Sequence, residues 1–189
     1  NNWSIATDLG ENLFAPGKTP RDNAQFLLFL TAVIKAVDEN QDLLRYSVTS
    51  AGNDHRLGAN EAPPAIMSIY VGDELEAILK AIKDGKPYTG NGSKKMSIGV
   101  DVLPAIPKDS TDRNRTSPFA FTGNRFEFRS VGSNLSISGP NTILNAILAD
   151  SLSKFADELE KAENFDKELQ NLIKREITAH WRILFNGNG

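Results

Sequence analysis

The sequence predicts an α+β fold, and three observations carry the prediction. Phe26-Leu-Leu-Phe-Leu-Thr-Ala-Val-Ile34 is apolar almost all round, as a helix buried on most faces must be. Arg125-Phe-Glu-Phe-Arg-Ser-Val131 alternates strictly, with Arg125, Glu127 and Arg129 on one face and Phe126 and Phe128 on the other, the pattern of a strand. Strands and helices are interspersed without the regular βαβ rhythm of a doubly wound sheet. At 189 residues, 40% of them hydrophobic, the chain is long enough to bury roughly 70% of its unfolded surface.

The elements follow in order. Residues 3–7 form a short strand-like piece that runs into a turn with Gly10, Pro16 and Gly17. Thr19 offers an N-cap oxygen and Pro20 suits the first helical position, so a helix spans about residues 20–38. The polar stretch 50–61 has neither a period of two nor one of 3.6 and reads as a loop. Pro63-Pro64 prescribes extended backbone and leads into a strand over 65–71. Asp73 is the expected cap of an amphipathic helix to Lys83, which Gly85 stops. The Gly, Lys, Asn and Ser content of 84–97 predicts a long, exposed, mobile connection, and 97–103 a weak strand. Gly139-Pro140 opens a helix to about Glu163, and Asn164 caps a second one reaching toward Phe185, so 140–186 is a C-terminal helical segment.

Composition narrows the function. Lys and Arg number 21 against 24 Asp and Glu, a formal charge of -3, so no basic field gathers nucleic acid or an anionic membrane surface. The absence of cysteine removes disulfide frameworks, thiolate zinc sites and thiol nucleophiles, and suits a reducing compartment. The apolar run Phe26–Leu30 is too short to span a bilayer. Neither a Gly-x-x-x-x-Gly-Lys loop nor Gly-x-Gly-x-x-Gly is present, so any nucleotide is held by another fold's solution. The first residue is not Met and the tail Asn186-Gly187-Asn188-Gly189 reads as a turn, which leads to the expectation of an excerpt from a longer chain.

Candidate chemistry lies in two segments. Arg125, Glu127 and Arg129 place two guanidinium groups and one carboxylate on the same strand face, with about 6–7 Å between successive members. Arginine recognises carboxylate or phosphate in bidentate fashion, and a carboxylate between two arginines stays ionised, as a metal ligand must. One reading is therefore an anion-plus-metal site, and the other a solvated face whose charges pair across the sheet. Arg113 and Arg115 precede this strand by a segment containing Pro118 and Gly123 that is able to fold back over it; the alternative is an exposed basic turn. The loop 53–64 carries Asp54, His55, Arg56 and Glu61, with its end stiffened by Pro63-Pro64. His55 lacks a serine or cysteine partner and reads as a surface or hydrogen-bonding histidine, and His180 as a helix-surface or packing residue.

Asn53-Asp-His-Arg-Leu-Gly-Ala-Asn-Glu-Ala-Pro-Pro64 and Asn114-Arg-Thr-Ser-Pro-Phe-Ala-Phe-Thr-Gly-Asn-Arg-Phe-Glu-Phe-Arg-Ser-Val-Gly-Ser133 resemble the C-terminal catalytic domain of type III glutamine synthetase. The resemblance extends over essentially the whole chain, so 1–189 is expected to be part of that domain, with a mostly antiparallel, curved sheet packed with helices, and without the family's N-terminal β-grasp domain. It implies ATP-dependent ligation of ammonia to glutamate through γ-glutamyl phosphate, with Mg2+ (or Mn2+), in a cytoplasmic ring-shaped homo-oligomer of nitrogen metabolism that engages neither membrane nor nucleic acid. By resemblance Glu127 is a metal ligand, Arg129 binds the carboxylate or acyl-phosphate end of glutamate, and Arg125 lies on the nucleotide side. Arg115 stabilises the transferred phosphoryl group, Arg56 holds the amino-acid carboxylate, and Glu61 on the closing flap accepts a proton from ammonium. Asn2 and Ser4 match positions near the nucleotide. Three departures stand out. Ala120 occupies a position where commoner classes carry a phosphate-binding Arg, and Asn2 one where they carry His. The family's metal-binding His would precede Asn1, with other metal carboxylates further upstream. The chain alone is accordingly expected to be inactive, and a γ-glutamyl ligase for another amine or a non-catalytic homologue that binds ATP or glutamate are the competing readings.

Overall fold

The computed structural model describes residues 1–16, 20–52, 66–86, 88–89, 95–96, 117–132 and 135–186. Arg56, Glu61, Arg115 and the expected strand at 97–103 lie outside the described residues. The architecture is α+β. In chain order the strands are β1 (Asn2–Trp3), β2 (Ile69–Tyr70), β3 (Tyr88–Thr89), β4 (Lys95–Met96), β5 (Phe119–Phe121) and β6 (Phe126–Phe128). The helices are α1 (Pro20–Glu39), α2 (Gln41–Tyr46), α3 (Asp73–Asp84), α4 (Ser138–Leu159) and α5 (Phe165–Ala179), followed by a 3-10 turn at Trp181–Ile183.

Among the described residues the main sheet has the order β1-β6-β5-β2. β6 runs antiparallel to both β1 and β5, whereas β2 runs parallel to β5, so the sheet is mixed and not purely antiparallel. β5 and β6 form a tight hairpin around Gly123-Asn124, where Thr122 N donates to Arg125 O at 2.8 Å and Gly123 has φ 93°. A positive φ at the first loop position suits the right-handed twist of the flanking strands, and glycine reaches it at no steric cost. β3 pairs antiparallel with β4 inside the stretch read from sequence as a connection.

Alternation on β6 divides the sheet into two faces. Trp3, Phe119, Phe121, Phe126 and Phe128 enter the core. Phe119 and Phe126 stack with ring centroids 4.6 Å apart at 5°, and Phe14 meets Phe126 edge-on at 5.2 Å. Such ring pairs add about 0.5–1.5 kcal/mol each beyond area burial. α1, buried along most of its length from Phe26 to Asp38 as its composition demands, packs chiefly on α4 and α5.

Helix ends both depart from expectation and meet it; α4, expected to reach about Glu163, ends at Leu159. Asp73 is the first helical residue of α3; the N-cap is Gly72, at φ 84°, with no side-chain cap bond. Asn186 Oδ1, from the far end of the chain, holds the approach to the helix by accepting from Val71 N at 2.9 Å and from the N-cap Gly72 N at 3.2 Å. α5 ends at Ala179, short of the expected reach toward Phe185, and Leu184 bridges in parallel to Ile69 beside β2. Asn164 caps α5 as expected, its Oδ1 accepting from Lys167 N at 3.0 Å.

Candidate active site

Glu127 stands at the centre of β6, flanked by Asn2 on β1 and Ala120 on β5. Tyr70 on β2 continues the row beyond Ala120. Strand alternation therefore brings Asn2, Glu127 and the departing position Ala120 onto one sheet face, opposite the aromatic core. Trp3 pins the edge of that row. It is buried, and its Nε1 donates to Asn145 Oδ1 on α4 at 3.0 Å, which holds Asn2 beside Glu127.

Arg129 lies one pleat along from Glu127 and its Nη2 donates to Glu127 Oε2 at 2.8 Å. The carboxylate side chain is 15% exposed and the guanidinium 38%, a charge-assisted pair at the border of solvent. The charges thus pair along one strand, and the neighbours of Glu127 across the sheet are Asn2 and Ala120. Arg129 N donates to Pro118 O at 2.7 Å, extending the β5–β6 ladder past Phe128. Arg129 Nε is buried without a hydrogen-bond partner among the described residues. Arg125 is exposed at the hairpin, and Asn2 and Ser4 are exposed at the sheet edge. The structure therefore groups Asn2, Glu127 and Arg129. Arg56, Glu61 and Arg115 belong to undescribed segments.

The donor set decides what this group can hold. Among the described residues no group of three or more His, Asp or Glu side chains is arranged to hold a metal ion, and Glu127 already shares an oxygen with Arg129. A hard divalent cation takes about six oxygens, usually with several waters and phosphate oxygens among them. The described residues do not by themselves fit a metal centre.

A second charged constellation escaped sequence reasoning. Lys35 on α1 bonds Glu39 at 2.9 Å and Glu176 on α5 at 3.0 Å, while Arg175 grips both oxygens of Glu158 at 2.8 Å and reaches Glu176 at 3.0 Å. Burial works against the charge of Lys35, yet Glu39 and Glu176 hold its ammonium above the ordinary lysine value. Burial likewise opposes ionisation of Glu176, and bonds from Lys35 and Arg175 outweigh it, leaving the carboxyl below the usual range. His180, read from sequence as a surface or packing residue, is buried with Nδ1 2.8 Å from Asp38 Oδ2. Arg182 Nε also donates to Asp38, at 2.9 Å. Every charge here has an opposite partner at the α1–α5 seam, which makes the cluster a structural lock. Its members lie 17 to 144 residues apart in sequence wherever they join separate elements, beyond the reach of any local pattern.

No protein-family model matches the chain. Over its whole length it is 52% identical to a type-3 glutamine synthetase of Dictyostelium discoideum, 48% to a glutamine synthetase of Bacteroides fragilis and 50% to one of Butyrivibrio fibrisolvens. It spans 26%, 27% and 27% of those proteins, about a quarter of the length of each. With half its residues identical along its full extent to these relatives, the chain belongs to the glutamine synthetase family.

Proposed function

We propose that the chain is part of a glutamate–ammonia ligase and carries one wall of its active site. The observation that supports this best is the Glu127–Arg129 pair beside Asn2 on a single sheet face, within a match that runs the length of the chain. In the proposed reaction a side-chain carboxylate oxygen of glutamate attacks the γ-phosphorus of ATP and ADP leaves. The nitrogen of ammonia then attacks the acyl carbon of γ-glutamyl phosphate, inorganic phosphate departs with the C–O electron pair, and glutamine remains. Arg129 binds the carboxylate and later acyl-phosphate end, where its unpaired Nε and its Nη groups match a planar or tetrahedral oxyanion. Arg125 lies toward the nucleotide, with Asn2 and Ser4 near it. Arg115 stabilises the moving phosphoryl group, Arg56 holds the amino-acid carboxylate, and Glu61 takes the proton that ammonium must lose. Glu127 would be one ligand of an Mg2+ (or Mn2+) ion, which would supply neutralisation of phosphate charge.

Because the described residues hold one candidate metal carboxylate, activity is assigned to the longer protein, assembled as a ring of like subunits, and the 189-residue polypeptide alone is expected to be inactive. The test is glutamate- and ammonium-dependent release of phosphate from ATP by the full-length protein, compared with its Glu127→Gln variant. A loss of about 100-fold or more is expected for the variant. A wild type without dependence on glutamate and ammonium, or a variant as active as wild type, overturns the assignment.

A further inference from the structure

At the end of the sheet where the parallel strands β2 and β5 both begin, two serines are buried side by side. Ser117 has no exposed surface and Ser68 is 8% exposed. Ser68 Oγ–H donates to Ser117 Oγ at 2.8 Å, and Ser117 Oγ–H donates onward to Phe185 O at 3.0 Å. Phe185 N closes the loop by donating to Ile69 O at 2.9 Å. The hydroxyls thus form a directional relay that ties three remote segments, those before β2, before β5 and after the 3-10 turn, to one point.

The ladder between β2 and β5 does not need this relay, because backbone bonds pair the strands; Phe119 N, for example, donates to Ser68 O at 3.3 Å. What the relay adds is a fixed position for the Ser117–Pro118 corner. That corner carries Arg129, whose N–H donates to Pro118 O at 2.7 Å, so the chain of bonds runs Ser68, Ser117, Pro118, Arg129 and then Glu127. In the other direction along the sequence, Arg115 precedes Ser117 by two residues.

We infer that Ser117, supported by Ser68, is a positioning residue that sets where the Arg129 guanidinium meets the reacting end of glutamate. This inference rests on the ligase reading above. A misplacement of about 1 Å at a reacting centre costs on the order of 100-fold in rate, so even a small relaxation of the corner is measurable.

The experiment uses the full-length protein with Ser117→Ala and Ser68→Ala, and Ser151→Ala as the control, since Ser151 Oγ is buried without a partner among the described residues. Hydrogen exchange followed by mass spectrometry on the peptide 126–132 reads the Arg129 amide directly. Steady-state kinetics reads KM for glutamate against KM for ATP. For Ser117→Ala, exchange faster by about tenfold and a KM for glutamate raised about tenfold are expected, with KM for ATP unchanged. Ser68→Ala, which leaves the bond from Ser117 to Phe185 in place, shifts both quantities less and serves if Ser117→Ala does not fold. A merely structural role lowers Tm without separating the two KM values. Unchanged exchange at 126–132, or a KM for glutamate that moves no more than in Ser151→Ala, overturns the inference. A wild type that releases no phosphate removes the ligase reading instead, and the exchange result then decides whether Ser117 holds Arg129.

Discussion

Replacing Glu176 by Gln tests the lock between α1 and α5. The carboxylate is 10% exposed; Oε2 receives Lys35 Nζ at 3.0 Å and faces His180 Nε2 at 3.4 Å, while Oε1 accepts from Arg175 Nε at 3.1 Å and Nη2 at 3.0 Å. Glutamine keeps the shape but turns one acceptor into a donor that faces the ammonium of Lys35 or the guanidinium of Arg175. Breaking a buried pair so that a charge is left uncompensated costs about 3–5 kcal/mol. Here Lys35 keeps Glu39 at 2.9 Å and Arg175 keeps both oxygens of Glu158, so neither cation is abandoned. The loss then reduces to the net value of one or two charge-assisted hydrogen bonds, about 2 kcal/mol. The pH dependence has a definite sign. The folded carboxyl lies below the ordinary glutamate value, so its contribution is complete above that ordinary value and disappears as pH falls through the folded pKa. Urea unfolding of wild type and Glu176→Gln should therefore differ by about 2 kcal/mol near neutrality, and the two should converge in acid. A difference that persists unchanged in acid, or curves that superimpose near neutrality, refutes the reasoning.

Two further substitutions probe the frame that holds the site. Asn186→Ala removes acceptor bonds to Val71 N and Gly72 N and a 2.7 Å donor bond to Glu76; a loss of about 2 kcal/mol in thermal unfolding is expected, with faster hydrogen exchange confined to the start of α3. Phe126→Ala empties a fully buried site stacked on Phe119 and is expected to cost about 3–5 kcal/mol by urea unfolding.

Much of the frame was readable before any coordinates because its signals are local. The all-round apolar run of α1, the glycine stop of α3 at Gly85, the Asn164 cap and the alternation of β6 each act within a few residues. β5 was hidden because Phe119-Ala-Phe121 is buried on both faces, so no period of two survives, and Pro118 just before it discourages a strand assignment. Asp73 looked like a cap because its type fits, yet it is the first helical residue, and the N-cap Gly72 is held by Asn186 from another part of the chain. The site shows the same division. Glu127 and Arg129 are two residues apart, and their shared face follows from the pleat alone, whereas the meeting of Asn2 with Glu127 depends on which strands pair. The serine relay was invisible in sequence, since Ser68 and Ser117 are unremarkable until β2 and β5 are known to run parallel.

The two-faced character of β6 has a consequence for the tolerance of this region to change in length. Side chains in a strand repeat every two residues, so one inserted or deleted residue between Thr122 and Arg129 would exchange the faces beyond it. Phenylalanine would be turned toward the row of Asn2 and Ala120, and Glu127 or Arg129 driven among Phe14, Phe119 and Trp3. Substitutions here act one side chain at a time, but a frame-preserving single-codon insertion would cost the core and the charged face together. The stacked rings thus serve as a ruler for the carboxylate and guanidinium behind them, and length in this hairpin is more tightly constrained than composition.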